Sequence, residues 1–352
     1  MIEVRTWPVR LTKRRPLTIS RGTTAASTNL MVSASYAGVT GYGECAPGTG
    51  HGDDFAAQAQ TAIDRFWGSS LLAEHAPDRT LIERVWVESE SLPVPALAGL
   101  DTALWDLIAR LADLPLHQVL GLSSTQVPSS VTIGINPPSV AAERAREIIR
   151  ETGAKALKLK LGSPDGLEHD RASYLAVQSV AAEHGVVLRV DANGGWSVEA
   201  AKAMLVWLAE RGCQYVEQPL MRGVEADLPT IYEDRPLPIF LDESVHFAID
   251  VPMVADRCDG VNVKLMKCGG ITEALRIVAS AREHRLQTMI GCMSESSVAV
   301  AAGASIGSLF DYIDLDSNLN LLDEPVERAI QWRDGGWDIE VPHVGIGAWP
   351  IS

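Results

Sequence analysis

The chain has 352 residues, of which 46% are hydrophobic and 21% charged, a balance typical of a globular protein with a sizeable core. Its formal net charge of -15 argues against nucleic-acid binding, because that function needs a basic surface to meet phosphates. Residues 1–17 carry charges throughout, and no apolar run is long enough to span a bilayer. The sequence therefore predicts neither a secretory signal nor a membrane partner.

The cysteines are scattered and odd in number, and none has the spacing of a metal site. Such usage fits reduced thiols in a cytosol better than a disulfide framework. We therefore expect a cytoplasmic enzyme. The cysteines are Cys45, Cys213, Cys258, Cys268 and Cys292.

The first part of the chain, up to about residue 124, begins with strand-like segments such as residues 30–36 and then becomes helical. Within residues 95–121, apolar side chains recur at helical spacing, which predicts an amphipathic helix. Pro115 and Gly121 mark its end. The apolar positions are Leu97, Leu100, Leu104, Leu107, Ile108 and Leu111.

From residue 131 onwards, short apolar runs alternate with longer amphipathic segments. Repeated strand–helix units predict a parallel sheet, and eight strands over roughly two hundred residues indicate a closed (β/α) barrel. A doubly wound open sheet is the competing architecture, although no GxGxxG follows the first strand. In such barrels the site lies at the carboxyl ends of the strands. The candidate strands begin near residues 131, 156, 186, 214, 239, 261, 288 and 312.

Three carboxylates end successive candidate strands: Asp191 the third, Glu217 the fourth and Asp242 the fifth. They should converge at one rim, where adjacent acids would repel one another without a cation. Three oxygen donors without Cys or His favour Mg²⁺ and leave positions open for water and substrate. The alternative for any one of them is a helix N-cap.

Two lysines, Lys160 on the second strand and Lys264 on the sixth, should face each other across an eight-stranded ring. Two bases on opposite sides of a bound carbon are what a racemase or epimerase needs, and burial near cations lowers a lysine pKa toward neutrality. Lys158 shares a strand face with Lys160, adds positive charge and can meet a substrate carboxylate. A lone strand lysine can equally be solvated, which is our interpretation of Lys155 and Lys267.

Asp314 and Asp316 form a D-x-D on one face of the eighth strand. Two acids so close call for a cation, either a substrate ammonium group or an arginine of the protein. One capping aspartate and one salt bridge is the alternative.

With these positions identified, the chain resembles the muconate-lactonizing-enzyme subgroup of the enolase superfamily over residues 95–316. The resemblance implies a (β/α)7β modified TIM barrel with an N-terminal α+β capping domain completed by the C-terminal tail. The corresponding ranges are 1–124 for the N-terminal part of the capping domain, 125–320 for the barrel and 321–352 for the C-terminal tail that returns to the capping domain. It also implies Mg²⁺ and a lysine base acting through an ene-diolate. The motifs are KLK at 158, DANGGW at 191, VEQP at 216, DES at 242 and VKLMKCGGI at 263.

Within that subgroup, the DLD at 314 and the GCMSES at 291 resemble dipeptide epimerases. This similarity implies that Asp314 and Asp316 bind a substrate α-ammonium group and that Thr132 and Cys292 line the pocket. It places Arg21 in a capping segment that closes over the substrate side chain.

We predict no catalytic role for the histidines. A His–Asp base pair of the mandelate-racemase kind is absent from the sequence, since Lys264 occupies strand six and strand seven ends in GCM. We interpret His246 and His51 as ordinary surface or lid residues.

The expected activity is that of an isomerase, a Mg²⁺-dependent dipeptide epimerase that moves a proton at the α-carbon of the C-terminal residue. Other reactions of the same site stay open: o-succinylbenzoate synthase, N-acylamino-acid racemase or cycloisomerase. Their substrates lack a free ammonium group, so the D-x-D counts against them. A Schiff-base aldolase would leave the carboxylates unexplained, and a non-enzymatic binding protein has no need of two buried lysines.

Substrate preference should depend on the capping loops, at about residues 16–29 and 44–55, and on the strand ends. Arg21 favours an acidic side chain, whereas the acidic net charge favours a basic one, so the preferred dipeptide stays open. Homo-oligomerisation also stays open.

Overall fold

A three-stranded antiparallel sheet starts the chain in the computed structural model, which describes residues 1–48, 52, 54–328, 330–340 and 343–351. Strands β1 and β2 form a long hairpin, interrupted by one irregularity between Thr12 and Leu17, and β2 also pairs with β3. Ser20 and Arg21 form its turn. The strands are β1 (Glu3–Ile19), β2 (Gly22–Tyr36) and β3 (Val39–Cys45).

Four helices follow this sheet, and the third is buried along most of its length. Strand β3 runs so close to this helix that a Cβ on Gly43 would lie 2.0 Å from the carbonyl oxygen of Gly99. The predicted amphipathic helix is thus enclosed on several faces, and it ends at Leu111, earlier than Pro115. The helices are α1 (Phe55–Ser69), α2 (Arg79–Glu88), α3 (Val94–Leu111) and α4 (Leu116–Val119).

Eight parallel strands then form the barrel in sequential order, which confirms the predicted (β/α)7β architecture. A bridge between Ser129 and Ile313 joins the first strand to the last. The strands are β4 (Ser130–Ile133), β5 (Ala156–Lys160), β6 (Val187–Asp191), β7 (Val216–Glu217), β8 (Ile239–Leu241), β9 (Gly260–Lys264), β10 (Gln287–Gly291) and β11 (Tyr312–Asp314).

Helices between the strands cover the outside of the barrel. Three of these helices end at left-handed glycines, Gly153, Gly185 and Gly269, where a side chain would be strained. The helices are α5 (Pro138–Thr152), α6 (Leu167–His184), α7 (Val198–Ala209), α8 (Leu228–Tyr232), α9 (Val251–Val254), α10 (Leu265–Cys268), α11 (Ile271–Glu283) and α12 (Ser297–Ser305). Among the described residues, no helix combines the length and the apolar composition needed to cross a membrane.

Aromatic side chains fill the inside of the barrel beneath the strand ends. The rings of Tyr215 and Phe240 lie 4.8 Å apart, and Phe240 meets Tyr312 at 5.3 Å. Met289 completes this buried cluster. Arg189 lies 5.0 Å from the ring of Tyr312, a cation–π distance.

The C-terminal tail returns to the N-terminal part. Leu322 donates its backbone N–H to Thr12 at 2.9 Å, and Ile346 donates to the Asp106 carboxylate on α3 at 2.7 Å. The tail therefore packs on the elements that cover the barrel. Its strands are β12 (Val326–Arg328), β13 (Gln331–Arg333), β14 (Gly336–Asp338) and β15 (Trp349–Pro350).

Candidate active site

The carboxyl rim of the barrel brings the predicted lysines and carboxylates together. Lys160 ends β5 and Lys264 ends β9, four strands apart in the eight-stranded ring. The three strands between them end in Asp191, Glu217 and, one residue beyond β8, Asp242. Asp191 and Glu217 are register partners. One arc of the rim thus carries the acids, with a lysine at each end.

Each rim lysine pairs with the nearest acid. Nζ of Lys160 lies 2.5 Å from Oδ2 of Asp191, and Nζ of Lys264 lies 2.6 Å from Oδ2 of Asp242. Burial alone would lower the pKa of Lys264, but attraction to Asp242 and Glu217 outweighs it and raises the pKa. This differs from the lowered pKa expected from the sequence. The pKa of Lys264 would fall as expected only if a bound cation neutralised the charges of Asp242 and Glu217.

Lys158 is buried between two groups of acids. Its Nζ lies 3.1 Å from Oε2 of Glu217 and 3.8 Å from Oδ2 of Asp191, and it forms a short ion pair with Asp314. Burial lowers the pKa of Lys158, but Asp314 and Glu217 together raise it well above its usual value. The ammonium group of Lys158 therefore links the two acidic groups.

The D-x-D lies next to the seam between β11 and β4. Asp314 accepts a hydrogen bond from Ser130 Oγ at 2.6 Å as well as from Lys158. Of the alternatives left open by the sequence, the salt bridge therefore describes Asp314, and its partner is a lysine rather than an arginine.

Asp316 keeps more accepting capacity than Asp314. Its Oδ2 accepts from the backbone N–H of Thr132 at 2.5 Å, and its Oδ1 lies 3.7 Å from the Cys292 sulfur. Burial and the charge of Asp314 raise the pKa of Asp316 to about 6. Thr132 and Cys292 thus both lie beside Asp316.

A capping-sheet lysine missed by the sequence argument also faces this region. Lys13 on β1 is buried, which lowers its pKa, while Cys292, Asp316 and Glu295 act in the opposite direction. It precedes Arg14 and Arg15 in a charged run that is typical of a solvated surface, so its burial could not be predicted from the sequence.

The donor set fits a divalent cation. Burial, followed by repulsion from Asp191, raises the pKa of Glu217 to about 7. Asn262 Nδ2 donates to Glu217 Oε1 at 2.7 Å and so holds one oxygen. Among the described residues, no three His, Cys, Asp or Glu side chains form a ready ligand cluster, and Asp191 and Asp242 are each paired with a lysine. Three carboxylates on neighbouring strand ends supply the oxygen ligands that Mg²⁺ prefers.

The interpretation of Lys267 as a solvated residue is wrong. Its Nζ lies 2.7 Å from Oδ1 of Asp242 and 2.8 Å from the carbonyl oxygen of Asn262, and it also bonds the Asp242 carbonyl oxygen. Helix α10 begins directly after Lys264 and returns residue 267 over the strand ends. Lys155 is exposed, as predicted.

Asn193 is a further site residue that the sequence argument did not assign. Its backbone N–H donates to Asp191 Oδ1 at 2.7 Å, and its Nδ2 donates to Oδ2 at 3.1 Å. Its φ is +44°, a left-handed value that asparagine tolerates better than most residues. Its position two residues after the acid that ends the strand could have identified it as a site residue in the sequence.

Arg21 contacts this rim from the capping hairpin. It donates to the Asn193 carbonyl oxygen at 2.7 Å and to Glu243 Oε1 at 2.6 Å. His246 is partly buried, which lowers its pKa to about 4. His51 lies outside the described residues.

Comparison with known proteins agrees with this geometry. Residues 1–121 match the mandelate racemase / muconate lactonizing enzyme N-terminal domain family, and residues 140–348 match the enolase C-terminal domain-like family. The chain therefore belongs to the enolase superfamily, in the mandelate racemase and muconate lactonizing enzyme group. The resemblance inferred from the motifs is confirmed.

Its relatives include proteins called hydrophobic dipeptide epimerase. One from Roseobacter litoralis is 53% identical over 91% of this chain and 92% of its own length. Another, from a Flavobacteria bacterium, is 47% identical over 91% of each. A dipeptide epimerase structure from Enterococcus faecalis, complexed with Mg and L-Leu-L-Tyr, superposes with a TM-score of 0.89 at 29% identity and covers 99% of both chains.

Proposed function

We propose that the chain is a Mg²⁺-dependent dipeptide epimerase that catalyses a 1,1-proton transfer at the α-carbon of the C-terminal residue. The observation that carries this function is the position of Lys160 and Lys264 at opposite ends of an acidic arc. A carbon held over that arc would meet one amine on each face. The names of the relatives support a dipeptide as the substrate.

The substrate carboxylate would bind next to the acidic arc. Asp191, Glu217 and Asp242 would hold Mg²⁺, which when bound supplies positive charge against the negative charge that develops on the substrate carboxylate. Lys158, already in place between the acids, adds a second positive charge. A preorganised charge of this kind stabilises an ene-diolate without rearrangement during the reaction.

Proton transfer would use the lysines in turn. The neutral amine of one lysine takes the α-proton, and the C–H electron pair delocalises into the carboxylate as the ene-diolate. The protonated amine of the other lysine then returns a proton to the opposite face. Lys160 and Lys264 exchange these roles according to which epimer is bound.

Asp316 and Asp314 would hold the N-terminal ammonium group. Asp316 has an oxygen with accepting capacity, and Asp314 shares its charge between this group and Lys158. Thr132 and Cys292 would border the bound N-terminal residue. A substrate anchored at both ends presents its α-carbon in a fixed register to the two lysines.

We also infer that residues 1–124 and 321–352 form one capping domain over a barrel of residues 125–320. The contacts of the tail with Thr12 and Asp106 support this division. A cytoplasmic location is supported by the five cysteines, which are all free thiols.

Deuterium exchange tests the function. The purified protein is incubated in D₂O with Mg²⁺ and a mixed L,L-dipeptide library, and mass spectrometry follows the gain of one deuteron at the C-terminal α-carbon. We expect uptake that EDTA abolishes. We expect Lys160→Ala and Lys264→Ala each to exchange the α-proton of only one epimer, because the remaining lysine reaches a single face.

Two other results would count against this function. Uptake that continues in EDTA would contradict the metal requirement. No uptake with any dipeptide would remove the dipeptide as substrate, and N-acylamino acids and succinylbenzoate precursors would be tested next.

A further inference from the structure

The turn of the β1–β2 hairpin lies across the mouth of the barrel. Ile135, just after β4, donates its N–H to the Thr18 carbonyl oxygen at 2.8 Å. Ser20 Oγ donates to the Asn193 carbonyl oxygen, just after β6, at 2.9 Å. The hairpin therefore rests on the ends of two barrel strands, one of which carries Asp191.

Arg21 extends this contact to a third strand end. One guanidinium nitrogen donates to the Asn193 carbonyl oxygen and the other to Glu243, which follows Asp242. Asn193 in turn bonds both oxygens of Asp191. The guanidinium thus spans the mouth between the strand ends of two proposed metal ligands.

Arg21 is the cation that compensates the negative charge of Glu243. Oε1 of Glu243 lies 2.6 Å from the guanidinium and accepts a longer contact, 3.4 Å, from Asn193 Nδ2. Its Oε2 is buried and accepts no hydrogen bond from any described residue. The Glu243 side chain is 17% exposed and the Arg21 side chain 35%, so the carboxylate is the better shielded partner and the guanidinium stays open to the mouth.

The pair also lies close to the reacting groups. The charge of Glu243 acts on the ammonium group of Lys264. Aromatic rings fill the barrel below the rim, so the side chain of a substrate carbon held between Lys160 and Lys264 would project outward, to the side on which the hairpin turn lies. An arginine at that position would attract an acidic side chain if its charge were available.

We propose that Glu243 determines substrate class by occupying Arg21, so that the mouth accepts an apolar C-terminal side chain and rejects an acidic one. This inference rests on the proposed function. An acidic side chain would have to displace Glu243 from Arg21 and then lie beside its carboxylate, an arrangement of like charges. The sequence-based expectation that Arg21 favours an acidic substrate did not include Glu243 as its partner, because Glu243 lies 222 positions away in the sequence.

The test compares two dipeptides, L-Ala-L-Leu and L-Ala-L-Glu, by their kcat/KM for α-proton exchange. We expect the wild type to prefer the leucine dipeptide. Glu243→Gln removes the carboxylate charge and frees Arg21, so the Glu/Leu ratio should rise at least tenfold. The double variant with Arg21→Met should return to the wild-type ratio. Glu233→Gln, at an exposed glutamate, is the matched control.

The ratio of two substrates separates specificity from a general loss of metal binding, which would affect both alike. An unchanged ratio in Glu243→Gln would overturn the inference, as would a raised ratio that persists in the double variant. Calorimetric affinities for the same two dipeptides give a ratio that does not depend on turnover. Binding without exchange by the wild type would count against the proposed function alone, while the affinity ratio would still decide the role of Glu243.

Discussion

Replacement of Lys267 by methionine would test whether a buried ammonium group compensates Asp242. Methionine keeps much of the aliphatic volume and removes the Nζ donations to Asp242 and to the Asn262 carbonyl oxygen. Removing one partner of a buried ion pair costs about 3–5 kcal/mol, because a charge is left without compensation. Asp242 keeps Lys264 at 2.6 Å. We therefore expect a loss near the lower limit, about 3 kcal/mol.

Urea unfolding followed by circular dichroism, without divalent cations, measures this loss. Lys155→Met is the matched control, since Lys155 is exposed and should change the free energy of unfolding by no more than about 0.5 kcal/mol. Added Mg²⁺ should narrow the gap between wild type and Lys267→Met, because it brings positive charge to Asp242 in both proteins. Equal stabilities of the Lys267 and Lys155 variants would refute the reasoning.

Three further predictions concern stability. In Gly43→Ala the added methyl carbon would lie 2.0 Å from the Gly99 carbonyl oxygen, so this variant should have a lower melting temperature and lose about 3 kcal/mol of stability. Gly68 has open space around it, so Gly68→Ala should leave the stability unchanged or raise it. Burial raises the pKa of Asp101 to about 6, so the native state holds the proton more tightly and stability falls as pH rises from about 4 to about 6. Asp101→Asn should flatten that part of the pH profile in urea unfolding. Glu44→Ala removes the acceptor for the N-terminus of α12 and should cost about 3 kcal/mol by the same assay.

Each of these predictions has a contradicting result. Equal melting temperatures for the Gly43 and Gly68 variants would show that β3 and α3 can separate at no cost. Parallel pH profiles would mean that Asp101 titrates alike in the native and unfolded chains. A Glu44 variant as stable as wild type would show that water replaces the carboxylate at the start of α12.

The barrel and its acidic arc could be predicted because each strand is a short buried run with an ionisable residue at its end. Asp191, Glu217 and Asp242 follow directly from this pattern, since consecutive parallel strands end at the same rim. Lys160 and Lys264 follow from counting strands around a closed ring. Local composition and strand order together determine these positions.

The partners of these residues could not be predicted in the same way. Burial of Lys267 depends on a four-residue helix after β9, and Lys13 reaches the site because the capping sheet packs over the rim. Arg21 meets Glu243 across most of the sequence, and Asp314 had several plausible cations. Such pairings are set by tertiary packing, which the periodicity of a single sequence does not contain.

The seam that closes the barrel also has a consequence for folding. Ser130 and Asp314, and likewise Thr132 and Asp316, meet across 184 positions of sequence. Contacts between such distant segments form late, because the chain must lose the entropy of a long loop before they stabilise it. The proposed ammonium subsite would therefore be completed only after the last strand docks. A chain still emerging from the ribosome could arrange its acidic arc yet have no place for the amino end of a peptide.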